Sequence, residues 1–165
     1  MKKILVLSDT HSYLDDKILK HVSWADEVWH AGDIGDLMVT DTLKKLKPLR
    51  AVYGNIDNNQ ARMEFPLNNR FWCEEVDVLI THIGGYPGKY NTAIRQELQL
   101  NPPKLFICGH SHILKVQFDK QLNLLHMNPG AAGIHGFHQV RTMLRFVIDR
   151  EAIKDLEIIE FEKRI

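Results

Sequence analysis

Short apolar runs alternate with longer amphipathic stretches through the first two thirds of the chain. Runs such as Ile4-Leu5-Val6-Leu7 are typical of buried strands, and apolar residues three to four positions apart are typical of helices. The pattern predicts strands at residues 3–8, 27–30, 49–53 and 104–108, and helices at residues 15–23, 36–47 and 93–100. The chain therefore opens as alternating strands and helices.

The remaining apolar segments are predicted to pair as hairpins. They are residues 70–76 with 78–81 around Asp77, residues 115–119 with 121–127, and residues 143–149 with 153–161 around Arg150-Glu151. This order predicts an α/β (α+β) fold, with either a mixed sheet or two packed sheets and helices outside. No repeat or linker interrupts the sequence, so we expect a single domain over residues 1–165.

Amino-acid composition and charge indicate which broad class of protein this is. Hydrophobic residues make up 44% and charged residues 25% of the 165, which is typical of a soluble globular domain. The formal net charge is zero, so no long nucleic-acid partner is expected. No stretch is long enough to span a membrane, and the first apolar run is too short for a signal peptide. Cys73 and Cys108 form no disulfide framework, so we expect reduced thiols in a cytoplasmic protein.

Side chains that can bind metal follow directly after five of the apolar runs. They are Asp9 and His11, Asp33, Asn55, His82, and His110 with His112. Groups just past the carboxyl ends of strands share one crevice in such a sheet, so these side chains are expected to meet. Together they favour hard-to-borderline divalent metals. Taken singly, Gly32-Asp33 and Gly54-Asn55 are also ordinary turn dipeptides, and it is the ordered set that indicates a metal site.

The ordered motifs resemble those of the calcineurin-like metallophosphoesterase superfamily. They are Asp9-x-His11, Gly32-Asp33, Gly54-Asn55-x-Asp57, Thr81-His82, Gly109-His110-Ser111-His112 and Asn128-Pro129-Gly130. The small single-domain bacterial and archaeal phosphodiesterases are the most similar branch, over residues 3 to about 130. The resemblance implies a four-layer αββα sandwich of two mixed β-sheets flanked by helices, with a two-metal site between the sheets.

The resemblance also implies a ligand set and an activity. One metal would take Asp9, His11 and His112, the other would take Asn55, His82 and His110, and Asp33 would bridge them. Asp33, Asn55, His82 and His110 would be the catalytic residues. The implied hydrolase is a dinuclear phosphoesterase that cleaves P–O bonds of a small phosphoester by in-line attack of a metal-bridging hydroxide. The matched ligands include no thiolate, which points to manganese, iron or zinc rather than to a structural zinc site. Of these we favour manganese, with iron, zinc, nickel and cobalt as alternatives.

One position departs from the family pattern. Many members, notably the protein phosphatases, carry a histidine general acid directly after the asparagine of the third motif, and here that position is Ile56. General acid catalysis contributes about 10²–10⁴-fold and matters most for poor leaving groups, so we expect a preference for phosphodiesters or activated esters over alkyl monoesters. His135 or His138 could supply the proton instead, although both also have a plain explanation as loop histidines.

Two further residues have candidate roles at the edge of the site. Asp57 is expected to orient a ligand or a backbone amide, or else to be a plain turn aspartate. Lys89 lies in the glycine-rich stretch at residues 84–90. That stretch is either a lid that brings Lys89 to phosphate and Tyr86 or Tyr90 to a base, or a surface loop.

The main competing class is a protein-interaction scaffold. The retromer subunit Vps29 resembles this family yet serves mainly as a scaffold, and in such a protein the metal site would be vestigial. All seven ligand positions are intact in this chain, which favours the enzyme. A nuclease acting on a short single-stranded end is a third alternative. Family members often dimerise, so a homodimer stays open.

Overall fold

Twelve strands and four helices make up residues 1–163, the part of the chain that the computed structural model describes. The strands are β1 (Lys2–Leu7), β2 (Glu27–His30), β3 (Leu49–Ala51), β4 (Asn68–Cys73), β5 (Val76–Thr81), β6 (Gly85–Tyr86), β7 (Lys89–Tyr90), β8 (Leu105–Ile107), β9 (Leu114–Asp119), β10 (Leu124–Pro129), β11 (Val140–Asp149) and β12 (Ala152–Glu162). The helices are α1 (Asp16–Trp24), α2 (Met38–Leu46), α3 (Asn59–Glu64) and α4 (Thr92–Leu100). Residues 164 and 165, which the predicted domain includes, lie outside the described part.

The strands form two five-stranded mixed sheets and one small hairpin. The first sheet has the order β12-β11-β1-β2-β3, in which β1, β2 and β3 are parallel and the other pairs are antiparallel. The second has the order β4-β5-β8-β10-β9, in which β5, β8 and β10 are parallel and both edge strands are antiparallel. Strands β6 and β7 pair only with each other.

Three apolar cores hold these sheets and helices in four layers. The core between the sheets contains Trp29 and Phe146, and both side chains are completely buried. Ile18 of α1 and Leu43 of α2 pack on the outer face of the first sheet, and Leu98 of α4 packs on the outer face of the second. The predicted αββα sandwich is therefore confirmed. None of the helices in residues 1–163 is both long enough and apolar enough to cross a membrane.

Strand β1 shows why the apolar runs are continuous rather than alternating. Ile4 and Val6 point into the core between the sheets, whereas Leu5 and Leu7 point into the core beneath the helices. Because both faces of the strand are covered from Ile4 to Leu7, each of these four positions must be apolar. The polar residue that follows such a run therefore marks the point where the strand ends and the cleft begins.

The apolar pattern predicted most segments to within three residues, but it missed three features. Helix α3 was not predicted because Ala61 is its only buried residue, so the helix has no apolar stripe in its sequence. Strands β6 and β7 are too short to show a pattern. The turn predicted at Asp77 is wrong: the chain turns at Glu74-Glu75, where Glu74 has φ 51°. Asp77 lies within β5, where its two carboxylate oxygens accept hydrogen bonds from Arg70 at 3.0 and 2.6 Å.

A buried arginine ties the loop after β10 to the start of α1. Arg141 is only 3% exposed, and its Nε donates to the carbonyl of Ala132 at 2.7 Å. Its Nη1 donates to Asp15 Oδ2 at 2.9 Å, while Asp15 Oδ1 caps α1 by accepting from the backbone of Ile18. The guanidinium also lies over the ring of Tyr13, 4.9 Å from its centre. Loss of this arginine would remove the side-chain donor that the Ala132 carbonyl and Asp15 Oδ2 share.

We predict that Arg141→Gln lowers the free energy of unfolding by about 1.5–3 kcal/mol, the range for hydrogen bonds to charged groups. The exposed Arg150, whose side chain makes no hydrogen bond to the described residues, provides the control. Arg150→Gln should change stability by less than about 0.5 kcal/mol. Urea unfolding followed by circular dichroism measures both, and equal stability of the two variants would contradict the role given to Arg141.

Candidate metal centre

The seven predicted ligands converge where the strand ends of the two sheets meet. Ligand atoms of Asp9, His11 and His112 lie within 4.8 Å of one another, and so do those of Asp33, His82 and His110. The seventh, Asn55, joins the second group, because its Oδ1 lies 3.1 Å from His110 Nδ1. The cleft thus contains two neighbouring groups of nitrogen and oxygen donors, drawn from loops that follow five different strands.

Asp33 stands between the two groups. Its Oδ2 lies 3.4 Å from His11 Nε2 in the first group, and its Oδ1 lies 3.2 Å from His82 Nε2 in the second. Asp9 Oδ1 lies 3.1 Å from His112 Nε2 and 3.8 Å from His82 Nε2. Each group therefore has a carboxylate oxygen within reach of its imidazole nitrogens.

Three buried polar atoms of the predicted ligands have no hydrogen-bond partner among the described residues. They are Asp9 Oδ1, His11 Nε2 and His82 Nε2. A buried polar atom without a partner costs about 1–3 kcal/mol, so a folded protein seldom leaves several of them facing one space. Carboxylate, imidazole and amide donors together suit divalent metal ions. The residues present therefore fit the metals that the sequence predicts.

The backbone of the ligand loops is strained. Five of the seven predicted ligands have left-handed backbone angles, with φ of 54° at Asp9, 43° at His11, 54° at Asp33, 71° at His110 and 61° at His112. Such angles cost a non-glycine residue about 1–3 kcal/mol and cluster at functional sites. Here each one turns the chain sharply after a strand, which directs the ligand side chain back over the end of the sheet.

Two glycines leave room for the ligand side chains. A Cβ on Gly54 would lie 2.1 Å from Asp33 Oδ1, and a Cβ on Gly32 would lie 2.6 Å from His82 Nδ1. Gly32 also has φ 99°, which a residue with a side chain rarely adopts. Both positions therefore require glycine if Asp33 and His82 are to stay where they are.

Hydrogen bonds from outside the cleft hold Asp9 and His82 in place. Ser8 Oγ donates to Asp9 Oδ2 at 2.6 Å, and the backbone nitrogen of His110 donates to the same oxygen at 3.1 Å. Oδ2 is thus occupied, and Oδ1 is left for the cleft. His82 Nδ1 donates to the carbonyl of Ala31 at 2.7 Å, which leaves Nε2 facing the carboxylates.

Asp57 clamps two of the ligand loops together. Its Oδ2 accepts hydrogen bonds from the backbone of Ile34 at 3.1 Å and of Gly54 at 2.7 Å, and its Oδ1 accepts from Gly35 at 2.9 Å. Ile34 and Gly35 follow Asp33, whereas Gly54 precedes Asn55. Asp57 therefore sets the spacing of the loops after β2 and β3, as expected of a residue that orients backbone amides.

Charge in the cleft is dominated by the two carboxylates. Burial by itself would raise the pKa of Asp33, but contacts with His11 and His82 hold it well below its usual range. Burial likewise opposes ionisation of Asp9, yet contact with His112 and the charge of His82 lower its pKa. Burial would lower the pKa of His82, and contact with the ionised Asp33 raises it instead. Two ionised carboxylates therefore face the cleft at neutral pH.

Of the candidate residues at the edge of the site, two histidines lie at the cleft and Lys89 does not. The ring of His135 lies 4.6 Å from that of His11, and the ring of His138 lies 5.2 Å from that of His112. Lys89 is exposed on β7 and is not among the described residues that line the ligand cleft. Tyr90 is buried and donates to Asp119 Oδ2 at 2.6 Å. The structure thus brings the two histidines to the cleft, and it does not bring Lys89 there.

Sequence reasoning gave no role to Ser8 or to the carbonyl of Ala31. A signal existed for Ser8, since it carries a hydroxyl directly before a predicted ligand, at the end of an apolar run. The Ala31 carbonyl carries no such signal, because any residue supplies one. Asn128 was named only as part of a motif, and its Nδ2 donates to Gly109 O at 3.0 Å and to Ser111 Oγ at 3.1 Å. It thereby supports the loop that carries His110 and His112.

Comparisons with known proteins found similar sequences. The sequence matches the model described as the calcineurin-like phosphoesterase superfamily domain over residues 1–151. A probable metallophosphoesterase of Methanocaldococcus jannaschii is 31% identical over 135 residues, which cover 76% of this chain but only 66% of that protein, just under two thirds of its length.

Solved structures share the fold at low identity. An archaeal protein described as a novel phosphodiesterase superposes with a TM-score of 0.76 and 20% identity, covering 96% of this chain and 99% of its own. Vps29 of Entamoeba histolytica, solved in complex with Zn²⁺, superposes with a TM-score of 0.74 and 15% identity, covering 98% of this chain and 99% of its own. At such identity these likenesses show the fold alone.

We predict that Asp57→Asn weakens Mn²⁺ binding about 10–100-fold, because an amide group would turn a donor toward backbone donors and loosen both loops. Isothermal titration calorimetry of the purified protein measures the affinity. Asp36 provides the matched control, since its exposed carboxylate accepts from the backbone of Met38 alone. Asp36→Asn should leave the Mn²⁺ affinity within about twofold of the wild type. An equally small change for Asp57→Asn would refute the role of Asp57 in holding the two ligand loops.

Proposed function

This chain belongs to the calcineurin-like phosphoesterase superfamily, and we propose that it is a dinuclear, metal-dependent phosphodiesterase acting on a small phosphoester. The observation that carries the proposal is the position of Asp33, whose two oxygens face His11 on one side and His82 on the other. A carboxylate placed in this way can offer one oxygen to each of two cations. The metallophosphoesterase relative and the phosphodiesterase with the same fold support the reaction class.

The proposal assigns each ligand by its group. Asp9, His11 and His112 would hold one cation, Asn55, His82 and His110 would hold the other, and Asp33 would contact both. When bound, such a pair polarises phosphoryl oxygens and lowers the pKa of water. Two divalent cations set against two carboxylates leave a net positive charge, because imidazoles and an amide add none. The cleft would therefore attract a phosphate anion.

The chain's own side chains set the geometry and the protonation of the cleft. The Ala31 carbonyl keeps a proton on His82 Nδ1, which frees Nε2 as a donor atom. Ser8 occupies the outer oxygen of Asp9, so that the inner oxygen faces the imidazoles. Asn55 and His110 lie together on the side of Asp33 that faces His82. These fixed orientations hold a phosphoryl group without reorganisation during the reaction.

Manganese remains our proposed metal, with iron, zinc, nickel and cobalt as alternatives. The donor set contains carboxylate, amide and imidazole but no thiolate. Cys108 lies two residues before His110, yet it is completely buried, and burial raises the pKa of its thiol to about 12. Such a thiol stays protonated and is a poor metal ligand. Both cysteines are free and buried, which fits the cytoplasmic location that we also propose.

The alternative is a protein-interaction scaffold, and it rests on the shared fold of Vps29. A scaffold does not need two groups of donors with three unpartnered buried atoms. It also does not need five ligands held in left-handed backbone angles. Strain and unmet hydrogen bonds of this kind are retained where a site has chemistry to perform, which favours the enzyme.

We predict Mn²⁺-dependent hydrolysis of bis(4-nitrophenyl) phosphate by the wild type and a loss of at least about 10²-fold in kcat for Asp33→Asn, the scale on which electrostatic groups of a site contribute. Asp41→Asn on the exposed side of α2 should retain the activity. A folded wild type that is inactive with each of the five candidate metals would favour the scaffold.

We also predict that the wild type turns over this diester far faster than glycerol phosphate, because Ile56 cannot donate a proton to an alkoxide. Ile56 is 46% exposed and lines the cleft, so a histidine fits there. Ile56→His should raise kcat for glycerol phosphate about tenfold or more, below the 10²–10⁴-fold of an evolved general acid. Ile113, 67% exposed on the same cleft, provides the control. An equal effect of Ile113→His, or no effect of Ile56→His, would contradict the missing-acid explanation.

A further inference from the structure

A separate cavity opens beside the second group of ligands. It has a volume of about 310 Å³, and Asn55 and His82 form part of its wall. The other walls come from the loop after β3, helix α3, the start of β4, the end of β5 and the start of α4. We call this cavity the side pocket. Anything bound in it would lie directly against Asn55 and His82, where the phosphoryl group is proposed to bind.

The side pocket is large enough for an organic group. Pockets that bind small molecules have volumes of about 300–1,000 Å³, whereas a water molecule takes about 30 Å³. Its apolar wall consists of Tyr53, Leu67, Ile83 and Ile94. A bare phosphate would leave this wall in contact with water, so the pocket favours a ligand with an apolar surface attached to the phosphate.

Two asparagines of the side pocket each carry an uncommitted donor. Asn68 Oδ1 accepts from Thr81 and Asn91 Oδ1 accepts from Ala93, but neither amide nitrogen donates to another described residue. Such donors match a ligand rich in acceptors, such as the carbonyl oxygens and ring nitrogens of a nucleobase.

The positive charge of the side pocket disfavours a cationic group such as choline, which is also common in phosphodiesters. Arg62 lies at the wall with its guanidinium 4.9 Å from the ring centre of Tyr53, and its Nη2 donates to the carbonyl of Asn55 at 3.3 Å. The described lining residues include no carboxylate. A cationic group such as choline would meet a positive charge with nothing to balance it, whereas ribose and phosphate oxygens would be attracted.

We propose that the side pocket binds the nucleoside of a nucleotide phosphodiester, so that the diester spans from the pocket to the metal centre. This inference rests on the proposed phosphodiesterase function. The apolar wall covers the faces of the base, the two amide nitrogens donate to its acceptors, and Arg62 contacts the oxygens near Asn55.

The first test compares three substrates with the same leaving group in the Mn²⁺-loaded protein. They are thymidine 5′-(4-nitrophenyl phosphate), ethyl 4-nitrophenyl phosphate and 4-nitrophenyl phosphorylcholine. We expect kcat/KM for the thymidine ester to exceed both others by about tenfold or more, which corresponds to about 1.4 kcal/mol. Equal values would overturn the nucleoside assignment and leave the phosphodiesterase intact. No hydrolysis of any of the three esters would refute the phosphodiesterase function. The nucleoside assignment of the side pocket would then be decided by a binding measurement.

Binding of thymidine 5′-monophosphate without activity provides that second readout. Calorimetry in EDTA should show that the monophosphate binds more tightly than inorganic phosphate. Leu67→Trp, at a side chain that is 53% exposed, should fill the pocket and weaken this binding about tenfold or more. Leu100→Trp, at a side chain that is 77% exposed outside the pocket, is the control. Equal binding of the monophosphate and phosphate, or equal binding by both variants, would overturn the proposal.

Replacing an amide by a carboxylate tests the proposed amide donors separately from the apolar wall. Asn91→Asp keeps the oxygen that caps α4 but replaces the free amide nitrogen with an acceptor, so it should weaken monophosphate binding. Asn58 caps α3 in the same way and lies outside the pocket lining. Asn58→Asp therefore controls for both the cap and the added negative charge. Equal weakening by the two variants would show a charge effect and contradict a contact with Asn91.

Discussion

Two buried carboxylates that need positive charge are the constraint on which the rest of this structure depends. Asp9 and Asp33 are almost completely buried, and each is ionised at neutral pH because histidines surround it. Buried charge is costly unless it is paired or bound to metal. The histidines supply only part of the compensation, since Asp9 Oδ1 and two imidazole nitrogens have no hydrogen-bond partner among the described residues. Cations in the cleft would satisfy all of these atoms together.

The fold creates this cluster by ending covered strands at one place. Strands such as β1 are buried on both faces near their carboxyl ends, so the polar side chains that follow these strands gather in the cleft beside the strand ends. Left-handed turns at Asp9 and Asp33 then direct the carboxylates inward, and Asp57 fixes the distance between the loops after β2 and β3. The strain of these loops is offset by the apolar packing beneath them.

The ligand residues could be predicted because each one follows an apolar run, and sequence order alone shows that relation. The supports around them could not be predicted so readily. The Ala31 carbonyl that orients His82 belongs to the backbone, and α3 has a single buried residue, so neither leaves a pattern in the sequence. Asp77 was wrongly predicted to lie in a turn because its ion-pair partner, Arg70, lies on the neighbouring strand, and that pairing does not show in the sequence. The side pocket could not be predicted either, because its walls come from the loop after β3, from α3, from β4, from the end of β5 and from α4, which meet only in the folded chain.

Diffraction from crystals soaked in Mn²⁺, with data collected at the manganese absorption edge, tests the central claim most directly. We expect two anomalous peaks on either side of Asp33, about 3.5–4 Å apart, one beside Asp9 and His112 and the other beside His82 and His110. A single peak, or peaks that do not contact Asp33, would contradict a shared two-metal site.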